Sequence, residues 1–219
     1  PAPPRCCVAP PPPLRPRTRA GHRVVSVCFP VPPAEARARL GGLFWHMVGY
    51  TTACGHGTIA LAVWAVHSRL IDADPDGTTE VRVDVPSGRV TALVRSLGGV
   101  VRSVAFRNVP SFVVATEVPV ATGRGDALVT LAYGGAIYAT VAASAFGLSV
   151  TGVDLTDLIR VGREIKAQVD GAGLAAHPDD PRLSGLYGTI FYDDLGKANG
   201  LLHQRNFTVF ADVDVDRSP

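Results

Sequence analysis

Residues 50–59 read YTTACGHGTI, and the segment that continues from them, 59–66, is apolar at every position. A helix that is apolar all round is typical of a protein interior, so this segment predicts a buried helix. Cys54 would lie at its N-terminus, where unpaired backbone N–H groups and the positive end of the helix dipole surround the sulfur. Such surroundings lower the pKa of a thiol from about 8.5 towards neutrality. The stretch therefore predicts a thiolate, and the same N–H groups predict a place for a carboxylate.

Two glycines and a histidine beside Cys54 bear on its role. Cys54 could be a buried structural cysteine, which is common. Gly55 and Gly57 favour a reactive thiol, because glycine lets a ligand approach the backbone closely and would leave the sulfur exposed. His56 could bind zinc, contact a substrate carboxylate or pack at the start of the helix. Zinc is the least favoured of these, since the next histidine is His67 and no cysteine pair joins the two.

Composition narrows the class of protein. The chain has 219 residues, of which 47% are hydrophobic and 18% charged, and this predicts one large or two small globular domains. The net charge is +2, but the first 23 residues hold five arginines and no acid, which leaves the rest of the chain at −3. A basic stripe for nucleic acid is therefore not indicated.

The cysteines and apolar runs indicate a compartment. The four cysteines, Cys6, Cys7, Cys28 and Cys54, are unevenly spaced and contain no CxxC pair, so a disulfide framework is not indicated. The sequence shows no apolar run of the roughly 20 residues that a membrane span needs, and no apolar core of a secretory signal at its start. We expect a cytoplasmic protein without a membrane partner.

The chain divides into a tail and two units. Residues 1–23 hold eight of the 18 prolines, which predicts a disordered tail. Residues 24–112 are predicted to form a first α/β unit, and residues 113–219 a second. In the second helix Asp154 is the expected N-cap, with Asp157 three residues on. Predicted strands cover 23–29, 44–50, 79–85, 90–95, 100–107, 127–133, 136–143, 186–192 and 207–213, and the predicted helices follow Cys54 and cover 155–169.

Several segments together resemble one family. GYTTACGHGTIA at 49–60 resembles the first catalytic motif of the proline racemase family, and DRSP at 216–219 resembles the opening of the second. Between them, SVAFRNVPSFV (103–113), AYGGAIYATV (132–141), LYGTIFYD (186–193) and RNFTVFADVDVDRSP (205–219) are similar to family segments in family order. The resemblance covers roughly residues 44–219.

This resemblance implies a fold and a chemistry. The implied α/β (α+β) fold is of the proline racemase and diaminopimelate epimerase type. In it, each of two similar units wraps strands around a central helix, and the active site lies in the cleft between the units. The implied substrates are small molecules, proline and hydroxyprolines, and the implied chemistry needs no cofactor and no metal. The resemblance leaves a homodimer open.

The resemblance also assigns site residues one by one. Cys54 matches the base that removes the Cα proton, and Gly55 and His56 match positions that hold the substrate carboxylate. Asp216 matches the acid that binds the ring nitrogen, and Phe210 matches an apolar pocket position. The chain is expected to be truncated just before the second catalytic residue, which would be residue 220.

The identity of that residue separates the alternatives. Threonine there implies a trans-3-hydroxy-L-proline dehydratase, which GYTT before the cysteine and the RNVPSFV and RNFTVFAD contexts favour. Cysteine implies a two-thiol proline racemase or 4-hydroxyproline epimerase. An inactive truncated remnant is the third hypothesis. The sequence departs from the family at Ala53, where methionine is usual, and in the shortened stretch before Phe44.

Overall fold

The structure is a computed structural model, and it describes residues 27–34, 38–46, 49–210 and 214–216. The predicted tail 1–23 and the residues 217–219 lie outside the described residues. Within the described ranges the chain forms two six-stranded sheets, each with one α-helix. The predicted α+β architecture of two sheet units is therefore confirmed. No helix in the described ranges is long and apolar enough to cross a membrane.

The first sheet has the strand order β1-β2-β4-β5-β6, and the short strand β3 also pairs with β2, on the edge opposite β1. Strands β2 and β4 run parallel, whereas the pairs β1–β2, β4–β5 and β5–β6 are antiparallel. Helix α1 follows β3 and packs on this sheet. The elements are β1 (Val27–Val31), β2 (Leu40–His46), β3 (Gly49–Thr51), α1 (Gly55–His67), β4 (Thr78–Val85), β5 (Gly88–Leu97) and β6 (Val100–Arg107).

Two expectations for this half need correction. The single strand predicted over 44–50 is wrong: β2 and β3 form an antiparallel pair in which His46 lies opposite Gly49. Gly49 has φ +129°, a conformation that glycine adopts without strain and that lets the chain reverse. Helix α1 is not buried all round, because Trp64 is 48% exposed. Within the described residues the first sheet covers only one face of α1. Helix α1 therefore has apolar residues, such as Trp64, on a face that this sheet does not cover.

The second sheet has the strand order β12-β11-β10-β9-β8-β7. Its one parallel pair is β9–β10, and helix α2 provides the crossover between these strands. The helix predicted over 155–169 is confirmed, and three of the apolar residues that recur along it at helical spacing, Leu158, Ile165 and Val169, are fully buried. The elements are β7 (Phe112–Thr122), β8 (Gly125–Tyr133), β9 (Ile137–Ala142), α2 (Leu155–Gly171), β10 (Leu186–Ala198), β11 (Leu201–Phe210) and β12 (Asp214–Asp216).

Sequence reasoning missed parts of the second sheet. Strand β7 was not predicted, and it contains Pro119, which an edge strand tolerates because one side of its backbone has no partner strand. The hairpin of β10 and β11 is longer than predicted because its outer part is exposed and lacks an apolar pattern. Asn199 and Gly200 both have positive φ at its turn, and this Asn-Gly pair is the sequence signal that could have revealed the hairpin.

The predicted cap of α2 is confirmed in its position but not in its hydrogen bonding. Asp154 is the N-cap residue by position, but its side chain makes no hydrogen bond to the helix. Its carboxylate instead accepts hydrogen bonds from the backbone N–H and the hydroxyl of Ser149, both at 2.9 Å. Asp157 pairs with Arg124 and Arg160 rather than completing a capping box. Ser149 in the preceding loop therefore competes with the first N–H groups of α2 for the Asp154 carboxylate, and the carboxylate binds Ser149.

Gly188 provides a test of the packing in the second sheet. A Cβ added at Gly188 would lie 2.5 Å from the carbonyl oxygen of Val209 and 3.0 Å from Cβ of Phe210, so the strands would have to separate. We expect Gly188→Ala to lower the free energy of unfolding in urea by about 1–3 kcal/mol, as overpacking does. Gly152→Ala is the control, because its added methyl group would meet nothing within 4 Å. Equal unfolding midpoints for the two variants would contradict the packing described here.

Candidate active site

Cys54 occupies the N-cap position of α1. Its backbone is extended, with φ −152° and ψ 106°, and the helix begins at Gly55. The carbonyl oxygen of Cys54 accepts hydrogen bonds from the backbone N–H of Thr58 at 2.9 Å and from the Thr58 hydroxyl at 2.8 Å. These two bonds fix the residue at the positive end of the helix dipole, where a negative charge on sulfur is stabilised.

The imidazole of His56 lies against the thiol. Its Nε2 is 3.6 Å and its Nδ1 is 3.9 Å from Sγ of Cys54, while the histidine side chain itself is exposed. An imidazole in this position can exchange a proton with the thiol, and in its charged form it stabilises a thiolate. Sequence analysis assigned His56 to the substrate carboxylate and missed this contact with sulfur. The spacing of two residues across a helix start is the signal that could have revealed it.

The expectation that Gly55 and Gly57 expose the sulfur is wrong. Cys54 is only 7% exposed. A Cβ added at Gly57 would lie 2.6 Å from Cε1 of Phe44 and 3.0 Å from Sγ of Cys54. Glycine at 57 is therefore required because the ring of Phe44 packs against the first turn of α1. At Gly55 an added Cβ would reach only ordinary contact with Phe106, at 3.4 Å.

A second thiol lies near the first. Cys28 on β1 is half-buried and pairs across strands with Phe44, the residue whose ring lies beside Cys54. Burial raises the pKa of Cys28 to about 11, and the neighbouring Cys54 contributes in the same direction. Cys28 is consequently a neutral thiol at physiological pH. Its closeness to Cys54 could not be read from the sequence, because 25 residues and two strand pairings separate them.

The loop before Cys54 contacts the second sheet. The Thr52 hydroxyl donates to the carbonyl oxygen of Gly135 at 2.5 Å, and Nδ2 of Asn108 donates to the carbonyl oxygen of Gly134 at 2.8 Å. Gly135 has φ +100°, and a Cβ added there would lie 3.0 Å from Cβ of Ala53. The two sheets therefore meet at the residues that immediately precede Cys54, and small residues on both sides permit the close approach.

An aromatic group lies at one end of the second sheet. The rings of Tyr187 and Phe210 stack with centroids 6.0 Å apart and planes 12° from parallel, and Tyr138 meets Tyr187 edge-on at 5.4 Å. Tyr138 lies three residues after Gly135, so this group is at the same end of the sheet as the turn that contacts the Cys54 loop. Sequence analysis predicted Phe210 as a pocket residue and missed both tyrosines. Their places in the segments AYGGAIYATV and LYGTIFYD, within three residues of a glycine, were the available signal.

The remaining predicted residue, Asp216, ends strand β12. Its backbone lies opposite Thr208 of β11, and Phe210 lies opposite Asp214. Asp216 and Phe210 therefore belong to the same antiparallel strand pair, whereas Cys54, Gly55 and His56 belong to the first sheet and its helix. Among the described residues no group of three or more His, Cys, Asp or Glu side chains is placed to hold a metal ion.

Comparisons with known proteins agree on one family. A family model described as "Proline racemase" matches residues 14–219. A trans-3-hydroxy-L-proline dehydratase of Bacillus cereus is 39% identical over 199 residues, which cover 91% of this chain and 59% of the relative. The trans-3-hydroxy-L-proline dehydratase of Homo sapiens is 41% identical over 206 residues, covering 91% of this chain and 57% of the relative. The chain thus spans between 57% and 59% of the length of these two curated relatives.

Solved structures show the same fold. A hydroxyproline epimerase from Agrobacterium vitis, with bound trans-4-hydroxy-L-proline, matches with a TM-score of 0.78 at 27% identity, covering 88% of this chain and 55% of that one. A probable proline racemase from Agrobacterium radiobacter, with bound carbonate, matches with a TM-score of 0.80 at 24% identity, covering 91% of this chain and 58% of that one.

Gly57 allows a test of the packing around the sulfur. We expect Gly57→Ala to lower the free energy of unfolding by about 1–3 kcal/mol, because the new methyl group must displace Phe44 or Cys54. Gly55→Ala in the same helical turn is the matched control, and we expect it to leave stability unchanged within about 0.5 kcal/mol. Urea denaturation of both variants measures the difference. A Gly57→Ala protein as stable as Gly55→Ala would contradict the close contact with Phe44.

The two thiols allow a test by pH. Since the pKa of Cys28 is about 11, we expect its alkylation by iodoacetamide to rise with pH up to about 11, when followed by peptide mass spectrometry. Replacing Cys54 with serine removes the smaller of the two causes that raise the pKa of Cys28, the charge on Cys54. The pH midpoint of Cys28 alkylation should therefore fall, while burial keeps it above the ordinary pKa of a thiol. An unchanged midpoint in Cys54→Ser would show that the two thiols do not interact.

Proposed function

The chain belongs to the proline racemase family, and on this premise we propose that its function is that of a trans-3-hydroxy-L-proline dehydratase. The observation that carries the proposal is the placement of Cys54 at the N-terminus of α1, against the imidazole of His56 and directly after Thr52 and Ala53, which contact Gly135 beside the second sheet. The proposed catalytic cleft lies between the units predicted over 24–112 and 113–219. The relatives at about 40% identity that carry the dehydratase name favour this substrate over proline.

In the proposed mechanism the helix start binds the substrate carboxylate. Backbone N–H groups in the first turn of a helix have no acceptor within the helix, and they point towards an anion placed at its N-terminus. Gly55 and His56 would provide these groups. Negative charge develops on the substrate when the Cα proton leaves, and this charge is the main obstacle to removing a proton from so weak an acid. Binding the carboxylate at the helix start stabilises that charge.

The Cys54 thiolate then acts as the base. The sulfur takes the Cα proton, and the electron pair of the broken C–H bond forms a double bond between Cα and Cβ. The C–O bond at position 3 breaks, the departing hydroxide takes up the equivalent of the proton that Cys54 removed and leaves as water, and the thiolate is restored. The enamine product tautomerises to the cyclic imine, pyrroline-2-carboxylate. No electron acceptor is consumed, so the proposed reaction balances without a cofactor.

The second sheet would hold the ring. In this proposal Phe210, stacked on Tyr187, forms an apolar wall for the ring carbons, and Asp216 binds the ring nitrogen, as the resemblance implies.

The compartment, the oligomeric state and a second candidate reaction complete the proposal. The cysteine pattern favours a reducing, cytoplasmic compartment, and the homodimer stays a prediction. A two-thiol racemase or 4-hydroxyproline epimerase is the second candidate, because the solved hydroxyproline epimerase from Agrobacterium vitis is similar over 88% of the chain.

Ligand protection tests the proposed site directly. Pyrrole-2-carboxylate is a planar mimic of the substrate after proton removal. We expect it to slow alkylation of Cys54 in this chain at least tenfold at saturation, because it covers the sulfur, and to leave alkylation of Cys28 unchanged. Peptide mass spectrometry quantifies both thiols in one sample. If Cys54 is alkylated equally fast with and without the ligand, the chain does not hold a substrate-binding site of this kind.

The same material distinguishes the candidate reactions. Nuclear magnetic resonance should show trans-3-hydroxy-L-proline converted to pyrroline-2-carboxylate. In Cys54→Ser the rate of this conversion should be lower by about 10²–10⁴-fold, as expected for removal of a general base. Deuterium incorporation at Cα of both enantiomers of proline would instead favour the racemase. Protection without either reaction would favour an inactive, ligand-binding remnant.

A further inference from the structure

Two buried hydroxyl groups lie where the two sheets meet. Tyr133, at the end of β8, is 4% exposed, and Ser87 lies in the turn between β4 and β5. Both hydroxyl oxygens are shielded from solvent, and among the described residues neither makes a hydrogen bond of normal geometry. Buried hydroxyls in native proteins nearly always have a partner, so this pair requires an explanation.

The Ser87 hydroxyl lies beside the turn that follows Tyr133, since a Cβ added at Gly135 would lie 3.5 Å from Oγ of Ser87. Burial raises the pKa of Tyr133, the Asp180 carboxylate adds to this, and the Ser87 hydroxyl acts in the opposite direction. A serine hydroxyl has this effect on a phenol when it can donate a hydrogen bond to the phenolic oxygen. A small adjustment, or one buried water, would therefore satisfy both groups at once.

The ring of Tyr133 is held in place by its neighbours. It stacks on Phe112 with centroids 5.0 Å apart and meets His177 edge-on at 4.6 Å. His177 is fixed in turn, because its Nδ1 accepts hydrogen bonds from the backbone N–H groups of Asp179 and Asp180. The phenolic oxygen is consequently presented to the Ser87 turn by a ring with little freedom to move.

The Ser87 turn leads directly to the loop before Cys54. The backbone N–H of Ser87 donates to the carbonyl oxygen of Thr52 at 3.0 Å. The Thr52 hydroxyl donates to the carbonyl oxygen of Gly135, which lies two residues after Tyr133. Tyr133, Ser87, Thr52 and Gly135 thus form a closed ring of contacts that joins the two sheets next to Cys54.

We propose that Tyr133 and Ser87 are positioning residues for Cys54: their hydroxyls share a hydrogen bond across the two sheets, directly or through one buried water, that holds loop 52–53 closed beside the sulfur. The importance of this bond for catalysis rests on the proposed role of Cys54, but its existence does not depend on turnover. In this proposal the closed loop shields the sulfur of Cys54, a residue that is 7% exposed, and opening of the loop admits a reagent, so the bond sets how often Cys54 is accessible.

The expected effect follows from the strength of one hydrogen bond. Losing a bond of typical net strength multiplies the population of the open loop by about threefold to tenfold. When opening and closing are fast, the alkylation rate of a buried thiol is proportional to that population. Either Tyr133→Phe or Ser87→Ala should therefore speed alkylation of Cys54 by about threefold to tenfold. Tyr133→Phe retains the ring that packs on Phe112 and His177.

A double-mutant cycle on the full chain tests the proposal. Iodoacetamide alkylation of Cys54 is measured by peptide mass spectrometry in the wild type, both single variants and the double variant, without ligand. Because one shared bond can be lost only once, the double variant should react no faster than the faster single variant. Tyr192→Phe and Ser103→Ala, which remove the same hydroxyls elsewhere, should leave the rate unchanged. Cys28 in the same samples should also react at an unchanged rate.

Three results would overturn the proposal. They are single variants with the wild-type rate at Cys54, a double variant whose effect is the product of the two single effects, and an equal acceleration at Cys28 that indicates general loosening. Ser87→Ala provides the decision if Tyr133→Phe does not fold. Protection by pyrrole-2-carboxylate is measured separately, so its absence in the wild type would contradict the proposed function and leave the result of this cycle standing.

Discussion

The packing of Phe44 against the first turn of α1 is the contact on which the site depends. The ring lies so close to Gly57 that any side chain there would collide with it, and the sulfur of Cys54 borders the same space. Phe44 is itself fully buried on β2, and its cross-strand partner on β1 is Cys28. One aromatic ring therefore sets the distance from the helix to the sheet, the start of the helix and the surroundings of both thiols. Glycine at position 57 is therefore required by this packing, whether or not a ligand approaches it.

A second constraint joins the sheets at the same place. Thr52 and Asn108 donate hydrogen bonds to the backbone of Gly135 and Gly134, so the turn between β8 and β9 of the second sheet is attached to the loop that carries Cys54 and to the residue that follows β6. These bonds bring the loop that carries the thiol to the end of the second sheet at which the aromatic group lies. A base and a pocket wall supplied by different sheets can then act on one small ring, provided that the junction keeps their separation fixed.

The sequence predicted those features that depend on local chemistry. The helix after Cys54, the strands β4 to β6 and the apolar face of α2 follow from periodicity and from turn residues, and the motif around Cys54 indicated the family. Features that depend on tertiary contacts were missed or wrong. The carboxylate of Asp154 binds Ser149 instead of capping its helix, and Trp64 remains exposed in an apolar helix. The nearness of Cys28 to Cys54, and of Tyr187 to Phe210, arises from strand pairing between segments far apart in the chain.

The enclosure of Cys54 has a consequence for how the site would work. In the proposed function, a base that is 7% exposed would be protected from solvent and from chance oxidation, but a substrate would still have to bring its Cα within reach of the sulfur. Helix α1 cannot yield, because Phe44 is packed against it. Thr52 donates a side-chain hydrogen bond to Gly135 beside the second sheet and accepts a backbone hydrogen bond from Ser87 of the first sheet, each of modest net strength. In the proposal for Tyr133 and Ser87, movement of this loop gives access to the sulfur, so that the same contacts that position the thiol also control when it is reached.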